Sequence, residues 1–87
     1  MRKVYKYTLP PMDVIDVTMP KDSEILSVAV QNDMPCVWAL VDPDDPRTVQ
    51  RRLMMVGTGH ILPYAPKRFI GTILLHNGAL VFHIFEL

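Results

Sequence analysis

Residues 69–87 read FIGTILLHNGALVFHIFEL, and this stretch predicts the β-hairpin around which the fold is built. Two apolar runs, Phe69–His76 and Ala79–Leu87, flank the dipeptide Asn77-Gly78. Asn-Gly favours a type I′ turn, because both central residues of that turn need φ > 0. Apolar side chains occur at odd and even positions of both runs, so we expect the rest of the chain to cover both faces of the hairpin.

The preceding chain supplies five further segments with the composition of strands. These segments are Arg2–Leu9, Asp13–Met19, Glu24–Gln31, Pro35–Val41 and Thr48–Val56. Alternation in Glu24–Gln31 places Leu26, Val28 and Val30 inward, and Pro35–Val41 is apolar on both faces, which is typical of a central strand. About seven short strands predict an all-β fold, a small antiparallel β-sandwich or barrel.

The segment Thr48–Val56 also fits a helix. Val49, Leu53 and Val56 recur at i, i+4 and i+7, and Gly57 follows as a stop signal. As a strand, the same residues would alternate between two faces. The neighbouring segments are all strands with short connections, and this context favours the strand.

A chain of 87 residues that is 49% hydrophobic predicts one domain, residues 1–87, with ample apolar content for a core. Chains this short often complete their core by associating, so we expect a homo-oligomer. No run approaches the roughly 18 apolar residues of a membrane span, so no membrane partner is predicted. The opening residues do not resemble a signal peptide. The one cysteine, Cys36, suits a reducing cytosol and is expected to be a small buried hydrophobe.

Charge is balanced in total but not along the chain. Residues 1–44 carry four basic and seven acidic side chains, whereas residues 45–87 carry five basic and two acidic ones. The positive second half suits a small anionic ligand or an acidic partner, and it is too weakly charged for duplex nucleic acid.

The most distinctive polar stretch is Gly57-Thr58-Gly59-His60. Two glycines let the backbone approach a ligand closely, and their N–H groups with the Thr58 hydroxyl could cradle a phosphate or a carboxylate. The alternative is a strand exit that needs φ > 0. The stretch lacks the Gly-Lys-Ser/Thr ending of a P-loop and does not match a dinucleotide-binding fingerprint.

Two basic pairs complete the predicted ligand-binding set. They are Arg51-Arg52 and Lys67-Arg68, which with Trp38 and Tyr64 could hold a base and its phosphates. In the alternative, Trp38 belongs to the core, one arginine of the first pair points inward and the other outward, and the second pair is a solvated loop end.

No catalytic residue, metal ligand or cofactor is predicted. A metal site needs three or four converging ligands, and the three histidines, His60, His76 and His83, have few carboxylates near them in sequence. The serines are far in sequence from every histidine, and there is no Gly-x-Ser-x-Gly motif.

The chain resembles a family of small uncharacterised proteins that is widespread in bacteriophage genomes. The segments that carry the resemblance are Val4–Tyr7, Met19-Pro20, Ile25–Val28, Pro35–Pro43, Gly57–His60, Phe69–Thr72 and Gly78–Glu86. The resemblance implies a viral origin, favours a strand for Thr48–Val56, and assigns no catalytic residue.

Together these observations predict a non-enzymatic phage accessory protein in the host cytoplasm. We expect it to sequester a small anionic, nucleotide-like ligand in a pocket between subunits and so to counter host defence. Small viral proteins without catalytic motifs generally act by binding, which supports this expectation. Two alternatives are an inhibitor or adaptor that docks on a host or phage protein, and a minor virion component.

Overall fold

The computed structural model describes all residues from Met1 to Leu87 and contains seven strands and no helix. The strands are β1 (Lys3–Thr8), β2 (Val14–Pro20), β3 (Glu24–Gln31), β4 (Met34–Val41), β5 (Thr48–Gly57), β6 (Arg68–Leu75) and β7 (Leu80–Glu86). Accordingly, no helix in the molecule has the length and apolar character needed to cross a membrane.

The strands form two antiparallel sheets that pack as a sandwich. One sheet has three strands in the order β1-β4-β3, and the other has four in the order β2-β5-β7-β6. The prediction of an all-β sandwich is confirmed, and β4, apolar on both faces, is the central strand of its sheet.

The segment with two interpretations is a strand. Thr48–Gly57 pairs with β2 on one side and with β7 on the other. The helical alternative is therefore wrong, because Thr48–Met54 bonds to β2 and Leu53–Gly57 bonds to β7, rather than to backbone groups within the segment.

The core lies between the sheets and is small. It is made of alternate, inward-facing aliphatic residues of both sheets, namely Leu9, Ile15, Met19, Ile25, Val37, Ala39, Val41, Leu53, Met55, Ile73 and Ile84. Only 17 of the 87 residues are buried, so most side chains lie on the two outer faces or at the ends of the sandwich.

A β-bulge changes the inward set that alternation predicts for β3. The register with β4 shifts between Ile25 and Ser27, which places Ile25, Val28 and Val30 inward. Leu26 is 46% exposed, so its prediction as an inward residue was wrong. One extra residue in a strand moves the later side chains onto the opposite parity.

The final hairpin forms as predicted, but its turn is longer than two residues. The last cross-strand pair joins Leu75 to Leu80, so the loop comprises residues 76–79. Asn77 and Gly78 have positive φ, as expected, and so does His76. The His76 N–H donates to the Asp33 carboxylate at 2.8 Å, in the turn between β3 and β4, so this group bonds outside the hairpin.

Edge strands β3 and β6 lie side by side and join the two sheets. Gly71 of β6 is required there, because a Cβ at this position would lie 2.8 Å from Cγ1 of Val28 in β3. Arg68 donates to the Ile25 carbonyl at 2.9 Å, and Asp33 contacts the ring of His76 at 2.8 Å. These contacts fix how the outer faces are oriented relative to one another.

Candidate functional site

An exposed apolar surface near the predicted ligand-binding stretch is the outer face of β6 and β7. The register of these strands directs six side chains outward, and we call this surface the outer platform. Its members are Phe69, Thr72, Leu74, Val81, His83 and Phe85.

The outer platform is more exposed on its β6 side than on its β7 side. Phe69 and Leu74 are each 55% exposed, whereas Val81, His83 and Phe85 are half-buried. We had predicted that both faces of this hairpin would be covered. That prediction was wrong for β6, because the chain covers the outer face only over β5.

Over β5 the chain does supply a cover. Met54 and Val56 point to the same outer face, yet they are 0% and 7% exposed. The segment after β5, residues 58–67, folds back here, since Leu62 lines a depression together with Val56 and Phe85, and we call it the covering segment. The segment thus forms one wall of the outer platform.

His83 lies at the centre of the outer platform and is held by two hydroxyls. Its Nε2 is 2.7 Å from Thr58 Oγ1, and its Nδ1 is 3.0 Å from Thr72 Oγ1. A neutral imidazole has one donor and one acceptor, so one threonine accepts a hydrogen bond while the other donates. Both ring nitrogens are therefore oriented by partners from β6 and from the end of β5.

Two aromatic rings adjoin this polar centre. Phe69 and Phe85 are cross-strand neighbours whose ring centroids lie 5.4 Å apart at an interplanar angle of 60°. This edge-to-face contact covers only one side of the Phe69 ring, so the side chain remains 55% exposed.

The stretch Gly57–His60 forms a turn at the side of the outer platform. The His60 N–H donates to the Gly57 carbonyl at 3.1 Å. A Cβ at Gly57 would lie 3.0 Å from the His60 ring, so a glycine lets that ring pack against the end of β5. Gly59 has φ of 84° and no atom within 4 Å of the position where a Cβ would stand.

A cavity of about 190 Å³ joins this turn to the outer platform. Its lining comes from the end of β5, the covering segment and β7, namely Val56, Gly57, Thr58, Gly59, His60, Leu62, His83 and Phe85. All four residues of the predicted Gly57–His60 stretch are in this lining. The structure therefore places the stretch beside His83, which the prediction had not included.

The predicted basic residues are not gathered around this cavity. Arg51 points inward, where it forms a bidentate pair with Glu86 at 2.5 and 3.0 Å and donates to the Ser23 carbonyl at 2.6 Å. Arg68 approaches the same carboxylate at 4.0 Å. Hydrogen bonding to Arg51, with the charges of Arg51 and Arg68, lowers the pKa of Glu86 below its ordinary value of 4.5.

Arg52 and Lys67 lie at the same end of the sheet as Arg51. Arg52 points outward and holds Asp16 at 2.8 and 3.1 Å, and hydrogen bonding to Arg52 lowers the pKa of Asp16. Lys67 donates its backbone N–H to the Glu86 carbonyl. Along β5, six residues separate Arg52 from Thr58, which is roughly 20 Å in an extended strand.

The arrangement around His83 offers two kinds of chemistry. Hydroxyls and an imidazole can exchange hydrogen bonds with the edge of a flat polar ligand, while the phenyl rings supply apolar contact. A hydroxyl within 2.7 Å of an imidazole that a third group orients is also the geometry of a nucleophile and its base. The chain contains no group of three His, Cys, Asp or Glu side chains placed to hold a metal ion.

Sequence reasoning missed Thr72, His83 and the two phenylalanines as members of a site. The shared parity of His83 and Phe85 was visible in the sequence, but the contact with Thr72 was not. A bulge between Phe69 and Gly71 shifts the register of β6 and brings Thr72 opposite His83.

A family model described as a domain of unknown function, DUF7352, matches residues 1–87. No curated protein and no solved structure matches the chain.

Proposed function

We propose that this chain, which belongs to the DUF7352 family of domains of unknown function, acts by binding a small nucleotide-like anion on its outer platform without transforming it. The observation that carries the proposal is the position of His83. This ring is held between Thr58 and Thr72 within an exposed apolar surface that includes Phe69 and Phe85.

The base of a nucleotide fits the two properties of the outer platform. Its flat face can pack on the exposed ring of Phe69, and stacking of a base on an aromatic side chain contributes about 1–3 kcal/mol. Its polar edge can bond to the hydroxyls of Thr72 and Thr58, which His83 already orients through its two ring nitrogens. Little ordering of these groups is then needed on binding.

The phosphate of the ligand fits the turn at Gly57–His60. The open space at Gly59 allows close approach, and the Thr58 hydroxyl and the imidazoles of His60 and His83 line the same cavity. Lys67, at the far end of the sheet, contributes attraction at a distance, whereas the charge of Arg52 is offset by its pair with Asp16. In this proposal Arg51 and Arg68 stabilise the fold through Glu86 and do not contact the ligand.

The resemblance to bacteriophage proteins supports a proposal for the cellular role. A small protein that sequesters a nucleotide in the host cytoplasm would counter a defence system that signals through nucleotides. We include this role in the proposal, with the resemblance as its support. A ligand shared between two subunits stays a prediction, since the groups named above lie on one chain.

Isothermal titration calorimetry with cyclic and linear mononucleotides tests the proposal. We expect binding of at least one nucleotide, with ribose 5-phosphate and inorganic phosphate binding far more weakly because they lack a base. Phe69→Ala and Thr72→Val should each weaken binding about tenfold, which corresponds to about 1.4 kcal/mol. Leu26→Ala, a similarly exposed apolar residue on the other sheet, serves as the matched control and should leave the affinity unchanged.

Two results would contradict the proposal. One is the absence of heat with every nucleotide at tens of micromolar protein, and the other is an unchanged affinity in the Phe69→Ala variant. Mass spectrometry of the nucleotide after incubation separates binding from catalysis. Recovery of a hydrolysed product, lost in Thr58→Ala, would instead identify Thr58 and His83 as a nucleophile and its base.

A further inference from the structure

The outer face of the three-stranded sheet is a second exposed surface, on the opposite side of the sandwich. Its cross-strand rows are Val4, Leu40 and Glu24, and then Lys6, Trp38 and Ser27, with Leu26 beside them in the bulge. We call the set Val4, Lys6, Glu24, Leu26, Trp38 and Leu40 the tryptophan face.

The tryptophan face has an apolar centre that the chain leaves open. Val4 is 55% and Leu26 is 46% exposed, and Trp38 and Leu40 are half-buried. Only the neighbouring Cys36 is enclosed, at 1% exposure, where Lys6 reaches across to donate to Gln31 at 2.6 Å. A surface of this kind, with apolar residues inside a polar rim, is typical of a protein contact.

Opposite charges lie at opposite edges of the tryptophan face. Lys6 is on edge strand β1 and Glu24 is on edge strand β3, with Trp38 and Leu40 of β4 between them. A two-fold axis parallel to the strands exchanges the two edges of a sheet. A second copy placed face to face about that axis would therefore bring each Lys6 close to the Glu24 of the other copy.

We propose that the tryptophan face binds a second copy of this chain, forming a two-fold dimer with Trp38 at its centre and two Lys6–Glu24 pairs at its rim. The face is self-complementary in charge, and the formal net charge of zero imposes no repulsion between copies. Lys6 bonds to Gln31 within one chain, so formation of the dimer would exchange that exposed hydrogen bond for the ion pair with Glu24 of the other copy.

The dimensions of the molecule are sufficient for such a contact. Its extents are 40 × 29 × 17 Å, so the whole broad side, of which the tryptophan face is one part, presents on the order of 1,000 Å² in projection. A stable interface buries about 800 Å² on each partner. The outer platform lies on the opposite side of the sandwich, so the dimer would carry two ligand sites that both face solvent.

Charge reversal with mixing tests the dimer directly. We expect Lys6→Glu to place four carboxylates at the rim and Glu24→Lys to place four ammonium groups there, so that each variant alone dimerises at least tenfold more weakly. Mixing the two variants restores both opposite-charge pairs and should restore the dimer. Lys3→Glu makes the same charge change on the same strand but on the inward parity, and it should dimerise like the native chain.

The readouts are sedimentation equilibrium and the fluorescence of Trp38, which is the one tryptophan in the chain. We expect its emission to shift to the red on dilution of the native protein, as the ring becomes exposed to water. A native protein that is monomeric at hundreds of micromolar would overturn the proposal. So would charge-reversed variants that dimerise as well as the native chain, or a mixture of the two that stays monomeric.

Both readouts are taken without nucleotide, and the substitutions lie on the sheet that does not carry the outer platform. Failure of the dimer and failure of nucleotide binding are therefore distinguishable.

Discussion

The two outer faces of this sandwich differ in what covers them. On the four-stranded sheet, the segment after β5 folds back beside Val56, and both Met54 and Val56 are buried. On the three-stranded sheet no segment folds back, and only Cys36 is enclosed, beneath the Lys6–Gln31 hydrogen bond. The covered sheet thus has a walled surface whose size suits a small ligand. The open sheet has a broad, unwalled surface that suits contact with another protein.

The largest expected effect is a difference in the free energy of unfolding between substitutions on the two outer faces. Met54→Ala should lower the free energy of unfolding by about 2–5 kcal/mol, because it leaves a cavity under the covering segment. In protein dilute enough to be monomeric, Leu26→Ala on the open face should change it by less than about 0.5 kcal/mol, since Leu26 is 46% exposed in the single chain. Urea denaturation of both variants measures the contrast. Equal effects would show that the covering segment does not pack on β5.

A second change breaks the connection that holds both faces in place. Glu86→Gln removes the charge that Arg51 and Arg68 contact, and those arginines also bond to carbonyls at Ser23 and Ile25 of the other sheet. Loss of a half-buried, charge-assisted hydrogen bond should cost about 1–3 kcal/mol at pH 7.

This effect should depend on pH in a defined direction. Arg51 lowers the pKa of Glu86 in the folded state. The Glu86 carboxylate therefore stabilises the fold fully when the pH is above the ordinary pKa of 4.5. That contribution is lost as the pH falls through the lower pKa of the folded state. The unfolding free energies of the native chain and of Glu86→Gln should therefore converge in acid, and a difference that persists at pH 2 would contradict this account.

A smaller effect is expected on the reaction rate of Cys36, the one enclosed residue of the open face. Gln31→Ala removes the acceptor that draws Lys6 across Cys36, so the thiol should react several-fold faster with a disulfide reagent. Ser27→Ala, on the same strand and face, is the control. The rate is read by absorbance in dilute protein. An unchanged rate would show that β1 and β4 alone enclose the thiol.

The smallest effect is expected at the exposed ion pair of the covered sheet. Asp16→Asn removes the partner of Arg52, whose side chain is 59% exposed. Because solvent screens such pairs, the midpoint of thermal unfolding should not change measurably. A clear decrease in calorimetry would mean that the pair also holds the covering segment, which places Tyr64 near Arg52.

Much of the fold could be predicted from alternation and turn residues. The bounds of β3 match the prediction at both ends, and the other strands differ by one residue at one end or at both. The errors arise at features that alternation does not encode. The bulge near Leu26 lies where β3 packs beside β6, and the longer turn at His76 bonds to Asp33, 43 residues away.

The site was less predictable than the fold, because its parts come from three separate segments. Thr58 was chosen for its glycine neighbours, and the structure does place it at a cavity. The basic pairs were chosen for charge alone, and Arg51 proves to be held by Glu86, the penultimate residue of the chain. Sequence patterns reveal which residues can be charged or polar, but tertiary contacts determine which of them remain available for a ligand.

The contact between Asp33 and His76 has a consequence for how the molecule opens. The hairpins β3-β4 and β6-β7 each close over a few residues, whereas this single carboxylate joins their tips across distant parts of the chain. Local hairpins form early in folding, and contacts between segments far apart in sequence form late. We therefore expect the two hairpin tips to separate first when the protein unfolds, before either hairpin opens.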